Sequence, residues 1–162
     1  MNIVYLQLGS NLGDSVLMLK NASLKIENEL GEITQSSSFY KSPPWGFEHD
    51  NDFVNQVLQL QTSLSPLELL KACLSIEKSL GRERKDQDGY AARKIDIDIL
   101  FYADIILDSE VLQLPHPRMH IRRFTLLPLA EISDSLVHPI LNKSVGDLLL
   151  ECEDFSVVEV IA

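Results

Sequence analysis

Asp96 and Asp98 are the residues whose type and spacing most directly permit chemistry. Two positions apart in a strand, they share a face and lie roughly 6.6–7 Å apart along the chain. Ile95, Ile97 and Ile99 take the opposite face, and the apolar run continues through Leu100 and Phe101. The composition predicts a central strand. Two bare carboxylates on such a strand are costly and need cations nearby. Arg93, at the start of the strand, supplies one, and a divalent metal would supply more charge. All-oxygen donors favour Mg2+ over zinc. The competing reading is an edge strand with its polar face in water.

The distribution of arginine indicates what the metal would accompany. The chain carries 14 basic and 24 acidic residues, a net charge of −10, which argues against nucleic acid as a partner. Yet every arginine falls in one window: Arg82, Arg84, Arg93, Arg118, Arg122 and Arg123. Guanidinium groups grip phosphate bidentately where lysine acts as a point charge. An acidic chain that gathers its arginines this way is expected to hold a compact polyphosphate site. Glu77 sits on the apolar helical stripe of Leu70, Cys73, Leu74 and Leu80, so it either faces the sheet near the arginines or snorkels outward. His116, between Pro115 and Pro117, is held in extended backbone and suits a fixed donor to a phosphate oxygen. His49, His120 and His138 lack such company and read as surface residues.

A second group of residues suits a flat ligand. Ser42-Pro43-Pro44-Trp45-Gly46 is a stiff loop carrying the only tryptophan, and Phe53 and Asn55 share a strand face. An aromatic surface plus an amide fits a planar heterocycle with donor and acceptor edges. Gly9-Ser10-Asn11-Leu12-Gly13 is a strand-to-helix turn without the features of a P-loop or dinucleotide fingerprint. No Ser-His-Asp order, oriented Cys-His pair or metal-type Cys/His spacing occurs, so covalent catalysis is not expected.

The elements that position these residues alternate in a readable order. A strand at 2–8 precedes a helix at 15–30 that Gly31 ends, then strands at 33–41 and 53–62. Ser65, Pro66 and Glu68 open a helix that runs to Leu80. A loose charged segment, 82–92, leads to a strand at 94–101. This β-α-β-β-α-β order predicts an α+β, ferredoxin-like two-layer sandwich with an antiparallel sheet. C-terminal additions follow: a hairpin near 105–114, helices at 123–131 and 144–151, and a strand at 156–161. The 162 residues suit a single domain, 1–162. No apolar run approaches a membrane span, Met1 to Leu6 reads as a strand and not as a signal peptide, and Cys73 and Cys152 read as free core thiols. The expectation is a cytoplasmic protein with no membrane partner.

These features resemble the 6-hydroxymethyl-7,8-dihydropterin pyrophosphokinases of folate biosynthesis, nearly end to end. The most specific stretch is Arg93-Lys94-Ile95-Asp96-Ile97-Asp98, close to the family's Arg-x-x-Asp-Leu-Asp signature. Gly9-Ser10-Asn11, Ser42-Pro43-Pro44, Phe53-Val54-Asn55, Glu77, Gly81-Arg82-x-Arg84 and Pro115-His116 support it. The resemblance implies a transferase acting as a monomer, which moves a diphosphoryl group from ATP to the pterin hydroxymethyl group and releases AMP. It implies that Asp96 and Asp98 bind two Mg2+ ions, with Arg82 and Arg93 also catalytic. It assigns ATP to Glu77, Arg82, Arg84, Arg93, Ile99, His116, Arg118 and Arg122. It assigns the pterin to Ser42, Pro43, Pro44, Trp45, Phe53, Asn55, Tyr90, Asp96 and Phe124. Loop 82–92 would close over ATP.

The chain departs from the family pattern at four places. Tyr90 stands where relatives carry tryptophan, Gly89 where a basic residue is common, Leu74 where a polar nucleotide contact is common, and Arg118 where an aromatic is common. Two readings compete with the kinase. One is a metal-dependent glycosyl- or nucleotidyltransferase using the Asp-x-Asp pair. The other is a ferredoxin-like binding module for RNA or a metabolite, which the net charge disfavours where RNA is concerned.

Overall fold

The computed structural model describes residues 1–44, 51–81 and 94–161. Strand β1 (Asn2–Ser10) follows from its alternation: Val4, Leu6 and Leu8 face one side, while Tyr5, Gln7 and Gly9 face the other. Helix α1 (Ser15–Glu29) is capped by Asp14, whose carboxylate accepts the Leu17 N–H at 3.1 Å. It buries Leu19, Ala22 and Ile26. Strands β2 (Glu32–Ser36) and β3 (Tyr40–Ser42) precede β4 (Phe53–Thr62). Helix α2 (Pro66–Ser79) opens with the complete capping box of Ser65 and Glu68 and with Pro66 in its first turn, as the sequence predicts.

Strand β5 (Asp96–Tyr102) closes the first six elements. The main sheet runs β5-β1-β4-β3, with β2 also on β4 and a short β8 (Glu159–Val160) beyond β3. Every pairing is antiparallel. This is the ferredoxin-like order inferred from the sequence. Helices α1 and α2 cover one face through Leu19, Ile26, Leu69, Cys73 and Ile76, packed on Val4, Leu6, Leu58, Leu60, Ile97 and Ile99.

The C-terminal additions cover part of the other face. After β6 (Leu107–Asp108) and β7 (Gln113–Leu114), a 3-10 turn (Met119–Ile121) leads into α3 (Arg123–Ser133) and α4 (Val145–Glu151). Their Met119, Leu126, Leu129, Val145 and Leu148 pack on Tyr5, Val57, Leu100 and Phe101. The Phe101 ring meets Tyr5 and His138 edge-on, at 6.1 and 5.7 Å between centroids.

Four expectations need correction. First, β5 is an edge strand: among the described residues it pairs with β1 alone. Its apolar residues are buried by layers above and below the sheet, and composition does not reveal lateral neighbours. Second, the strand expected over 33–41 is broken. The Ser37 hydroxyl accepts the Val57 N–H at 2.9 Å, so a side chain takes a ladder position and β2 and β3 pair separately with β4. Third, the C-terminal strand expected over 156–161 forms only at Glu159–Val160. Fourth, His138 is not a surface residue. It is 4% exposed, accepts the Ile140 and Leu141 N–H groups at 3.2 and 3.1 Å through Nδ1, and sits 6.4 Å from the half-buried His120 ring.

Cys73 and Cys152 are both buried and free. Among the described residues no helix is long and apolar enough to cross a membrane.

Gly31 fits a place no side chain can enter. A Cβ there would lie 2.0 Å from the Gln61 carbonyl oxygen, beside the Thr62 hydroxyl that donates to Leu30 O at 2.7 Å. Gly31→Ala is expected to destabilise the fold by about 2 kcal/mol or more, measured by urea unfolding; a change within about 0.5 kcal/mol would contradict this packing.

Candidate active site

The register of the sheet assembles the site row by row. Asp96 lies opposite Gly9, and Gly9 lies opposite Asn55, so three neighbouring strands place them in one line. One step along, Asp98 lies opposite Gln7, which lies opposite Val57. Both aspartates are half-exposed, whereas Ile97 and Ile99 are buried against the helices. Gly9 leaves the row open at its centre. A Cβ there would stand 3.4 Å from Asn55 Oδ1 and 3.9 Å from the Phe53 ring.

The Asn55 end is rigidly built. Asn55 is 3% exposed and donates from Nδ2 to Ser42 Oγ at 2.8 Å. With the amide nitrogen so engaged, Oδ1 is turned over Gly9 as an acceptor. Phe53 and Pro44 are half-buried, and Pro43 is exposed. The start of α3 is tied to this sheet through Gln7 Nε2, which donates to Phe124 O at 3.0 Å, and there the Arg122 guanidinium lies 5.6 Å from the centre of the half-buried Phe124 ring. Of the adjacent Arg122 and Arg123, Arg122 is the buried one. The backbone N–H of Arg123 donates to Asp154 at 3.0 Å on the other side.

The outer side of β5 forms a cavity of about 440 Å³. Leu70, Leu74 and Glu77 of α2, the strand from Asp96 to Ile99, the 109–113 turn and His116 line it. Glu77 is 2% exposed and does not snorkel; its carboxylate accepts the Ile97 N–H at 2.7 Å. That bond shows which way the edge points. Backbone groups alternate along a strand, so those of Ile99 face the cavity too, while the Ile99 side chain is in the core. Burial, then the Glu77 and Asp98 charges, push the Cys73 thiol up to about 12.

His116 is fixed from two sides. Its N–H donates to Leu100 O at 2.9 Å, and its Nδ1 accepts the Arg118 N–H at 3.1 Å. Burial, then the Arg122 charge, lower its pKa to about 4, against a smaller opposing effect of Asp96. A neutral imidazole accepting at Nδ1 carries its proton on Nε2, and so is a single-direction donor. Arg118 itself is exposed.

The structure therefore brings Glu77, Asp96, Asp98, Ile99 and His116 around one cavity, and Ser42, Phe53 and Asn55 around Gly9, while Phe124 is tied to Gln7 one step along. Trp45, Arg82, Arg84, Tyr90 and Arg93 lie outside the described residues, as does loop 82–92. A second cavity of about 640 Å³ lies at α4 and is lined by none of the predicted site residues. Two site features escaped the sequence reading: the open floor at Gly9, there read only as part of a turn, and Gln7. Gln7 is a buried polar residue in an otherwise apolar run, and that is the signal that could have marked it.

Among the described residues no group of three or more His, Cys, Asp or Glu could hold a metal alone. Asp96 and Asp98 offer oxygen donors only. Two carboxylates completed by substrate phosphates and water are a donor set that Mg2+ accepts, so the residues fit that ion.

The family model described as 7,8-dihydro-6-hydroxymethylpterin-pyrophosphokinase matches residues 5–134. The chain is 43% identical over 143 residues to a 2-amino-4-hydroxy-6-hydroxymethyldihydropteridine pyrophosphokinase of Aquifex aeolicus, covering 88% of each. It is 42% identical over 132 residues to the enzyme of the same name from Bacillus subtilis, covering 81% of this chain and 78% of that one. In three dimensions it is similar to Plasmodium falciparum HPPK-DHPS, with a TM-score of 0.73 at 18% identity. That match covers 93% of this chain but only 44% of the longer one, and it bears on the fold alone.

The lowered His116 pKa makes stability depend on pH. The unfolded histidine binds a proton below about 6.5 and the folded one only below about 4, so stability present above 6.5 is lost as pH falls toward 4. The His116 contribution should fall by about 2 kcal/mol between pH 7.5 and pH 5. Urea unfolding of wild type and His116→Gln at both values checks this, and an equal pH dependence in the two would contradict it.

Proposed function

Because this chain belongs to the 7,8-dihydro-6-hydroxymethylpterin-pyrophosphokinase family and transfers the pyrophosphoryl group of ATP to hydroxymethyldihydropterin, we propose that Asp96 and Asp98 are the centre of its catalysis. The observation that carries this is the position of Asp96, which borders both the edge cavity and the Gly9–Asn55 row. One carboxylate thus stands where two substrates meet.

ATP occupies the cavity along β5. The outward backbone of Ile99 offers an N–H and a C=O to the flat base, which suits a wall where Leu74 provides apolar area in place of a polar contact. His116, through Nε2–H, and Arg122 bind phosphate oxygens from the side of α3. The pterin lies over Gly9. Asn55 Oδ1 accepts from its amino edge, and Phe53 and Phe124 flank its rings. Ser42 fixes Asn55, and Pro43 and Pro44 shape the approach. Roles for Arg82, Arg84 and Arg93 on phosphate, and for Trp45 and Tyr90 in stacking, rest on the sequence resemblance. Arg118, exposed, contributes through its N–H to His116.

Asp96 and Asp98 would hold Mg2+, two ions on the family pattern, which when bound neutralises triphosphate charge and acidifies the attacking hydroxyl. The hydroxymethyl oxygen forms a bond to the β-phosphorus, the bond from that phosphorus to the AMP oxygen breaks, and the hydroxyl proton is released. No covalent enzyme intermediate is required. The residues align two reactants and stabilise charge, which is what phosphoryl transfer chiefly needs. The same proposal takes the chain as one monomeric domain in a reducing, cytoplasmic setting. The buried free thiols support that setting.

The test is AMP release from Mg·ATP with and without the pterin, for wild type and Asp96→Asn. AMP should appear only with pterin and fall by about 10³-fold or more in the variant. ATP binding without pterin-dependent AMP in wild type, or an active Asp96→Asn, would contradict the proposal.

A further inference from the structure

We propose that Gln7 is a positioning residue for the pterin site: it supplies a helix hydrogen bond that Pro128 removes, and so fixes Phe124 in the pterin wall. The proposal rests on the assignment of Phe124 to the pterin wall.

In an α-helix the carbonyl of Phe124 would accept from the N–H of residue 128. That residue is Pro128, inside α3, and it has no N–H. The vacant place is filled from the sheet, where Gln7 Nε2 donates to Phe124 O at 3.0 Å. The other end of the amide is also fixed, since the Thr125 hydroxyl donates to Gln7 Oε1 at 2.7 Å. The two bonds set the amide orientation: oxygen toward Thr125, nitrogen toward Phe124. Gln7 is 4% exposed and lies opposite Asp98. The Gln7 bonds therefore hold the first turn of α3 to the row that bears Asp98. That turn carries Phe124.

Without Gln7 the Phe124 carbonyl loses this donor at the sheet, and the turn can rotate to seek another. The consequence is specific to the wall that touches the pterin. The nucleotide cavity on the far side of β5 has its own anchors in Glu77 and Leu74.

Steady-state kinetics of Gln7→Met, Pro128→Ala, the double variant and Phe124→Ala test this, with folding checked by circular dichroism and melting. Gln7→Met should raise the KM for pterin by about tenfold and leave the KM for ATP within about twofold. Pro128→Ala restores an N–H to the helix. In that background the same Gln7 substitution should cost about threefold or less. If Gln7→Met does not fold, Thr125→Val, which frees the amide, should give a smaller rise confined to pterin. A folded Gln7→Met with wild-type pterin KM, an equal rise in both KM values, or a penalty indifferent to Pro128 would overturn the inference. A pterin KM unchanged in Phe124→Ala would instead overturn the assignment of the pterin wall.

Discussion

Two carboxylates two residues apart on one face of one strand repel each other, and the site depends on holding that strand flat despite them. Charges roughly 7 Å apart cost about 2 kcal/mol at an effective dielectric near 20. Burial opposes this on the other face of β5, where Ile97 and Ile99 each contribute about 1.5–3 kcal/mol by leaving water. Burial wins, so the strand forms with its charges in place. Glu77 adds a third carboxylate, yet its oxygen takes the Ile97 N–H and ties α2 to the strand's open side. That open side matters. A strand paired on both sides would have no backbone to offer a ligand, and an edge strand does.

The carboxylate pair also explains the surrounding electrostatics. His116 stands near Asp96, which favours its charged form, but burial and Arg122 prevail and leave it neutral. A neutral histidine with a fixed Nε2 proton donates to phosphate without adding another charge to the site. Gly9 keeps the centre of the row empty, and the start of α3, tied to Gln7 one step along, carries a cation and a ring. Sheet floor and helix wall come from distant parts of the chain, which is why a polar residue such as Gln7 must cross between them.

Much of this was legible in the sequence because it depends on local rules. Alternation placed Asp96 and Asp98 together, the Ser65–Glu68 pair fixed the start of α2, and Gly31 marked the end of α1. What was not legible depends on neighbours distant in sequence. The isoleucines of β5 report that its face is covered and say nothing about a lateral partner, so edge and centre looked alike. Ser37 interrupts β2 and β3 only because Val57 lies opposite it. His138 reads as polar surface until Phe101 and His120 are seen around it. For Glu77 the helical stripe left both facing the sheet and snorkelling outward open, because the Ile97 N–H that makes burial tolerable is on another element. The choice between Arg122 and Arg123 required the pose of α3.

The central claim is that Asp96 and Asp98 together with the nucleotide hold the metal. Counting Mn2+ bound per chain by electron paramagnetic resonance tests it most directly, with and without a non-hydrolysable ATP analogue, in wild type, Asp96→Asn and Asp98→Asn. Tight binding of two ions that appears only with the nucleotide and is lost in both variants is the predicted result. Binding that is equally tight without nucleotide, or unchanged when either aspartate is replaced, would contradict it.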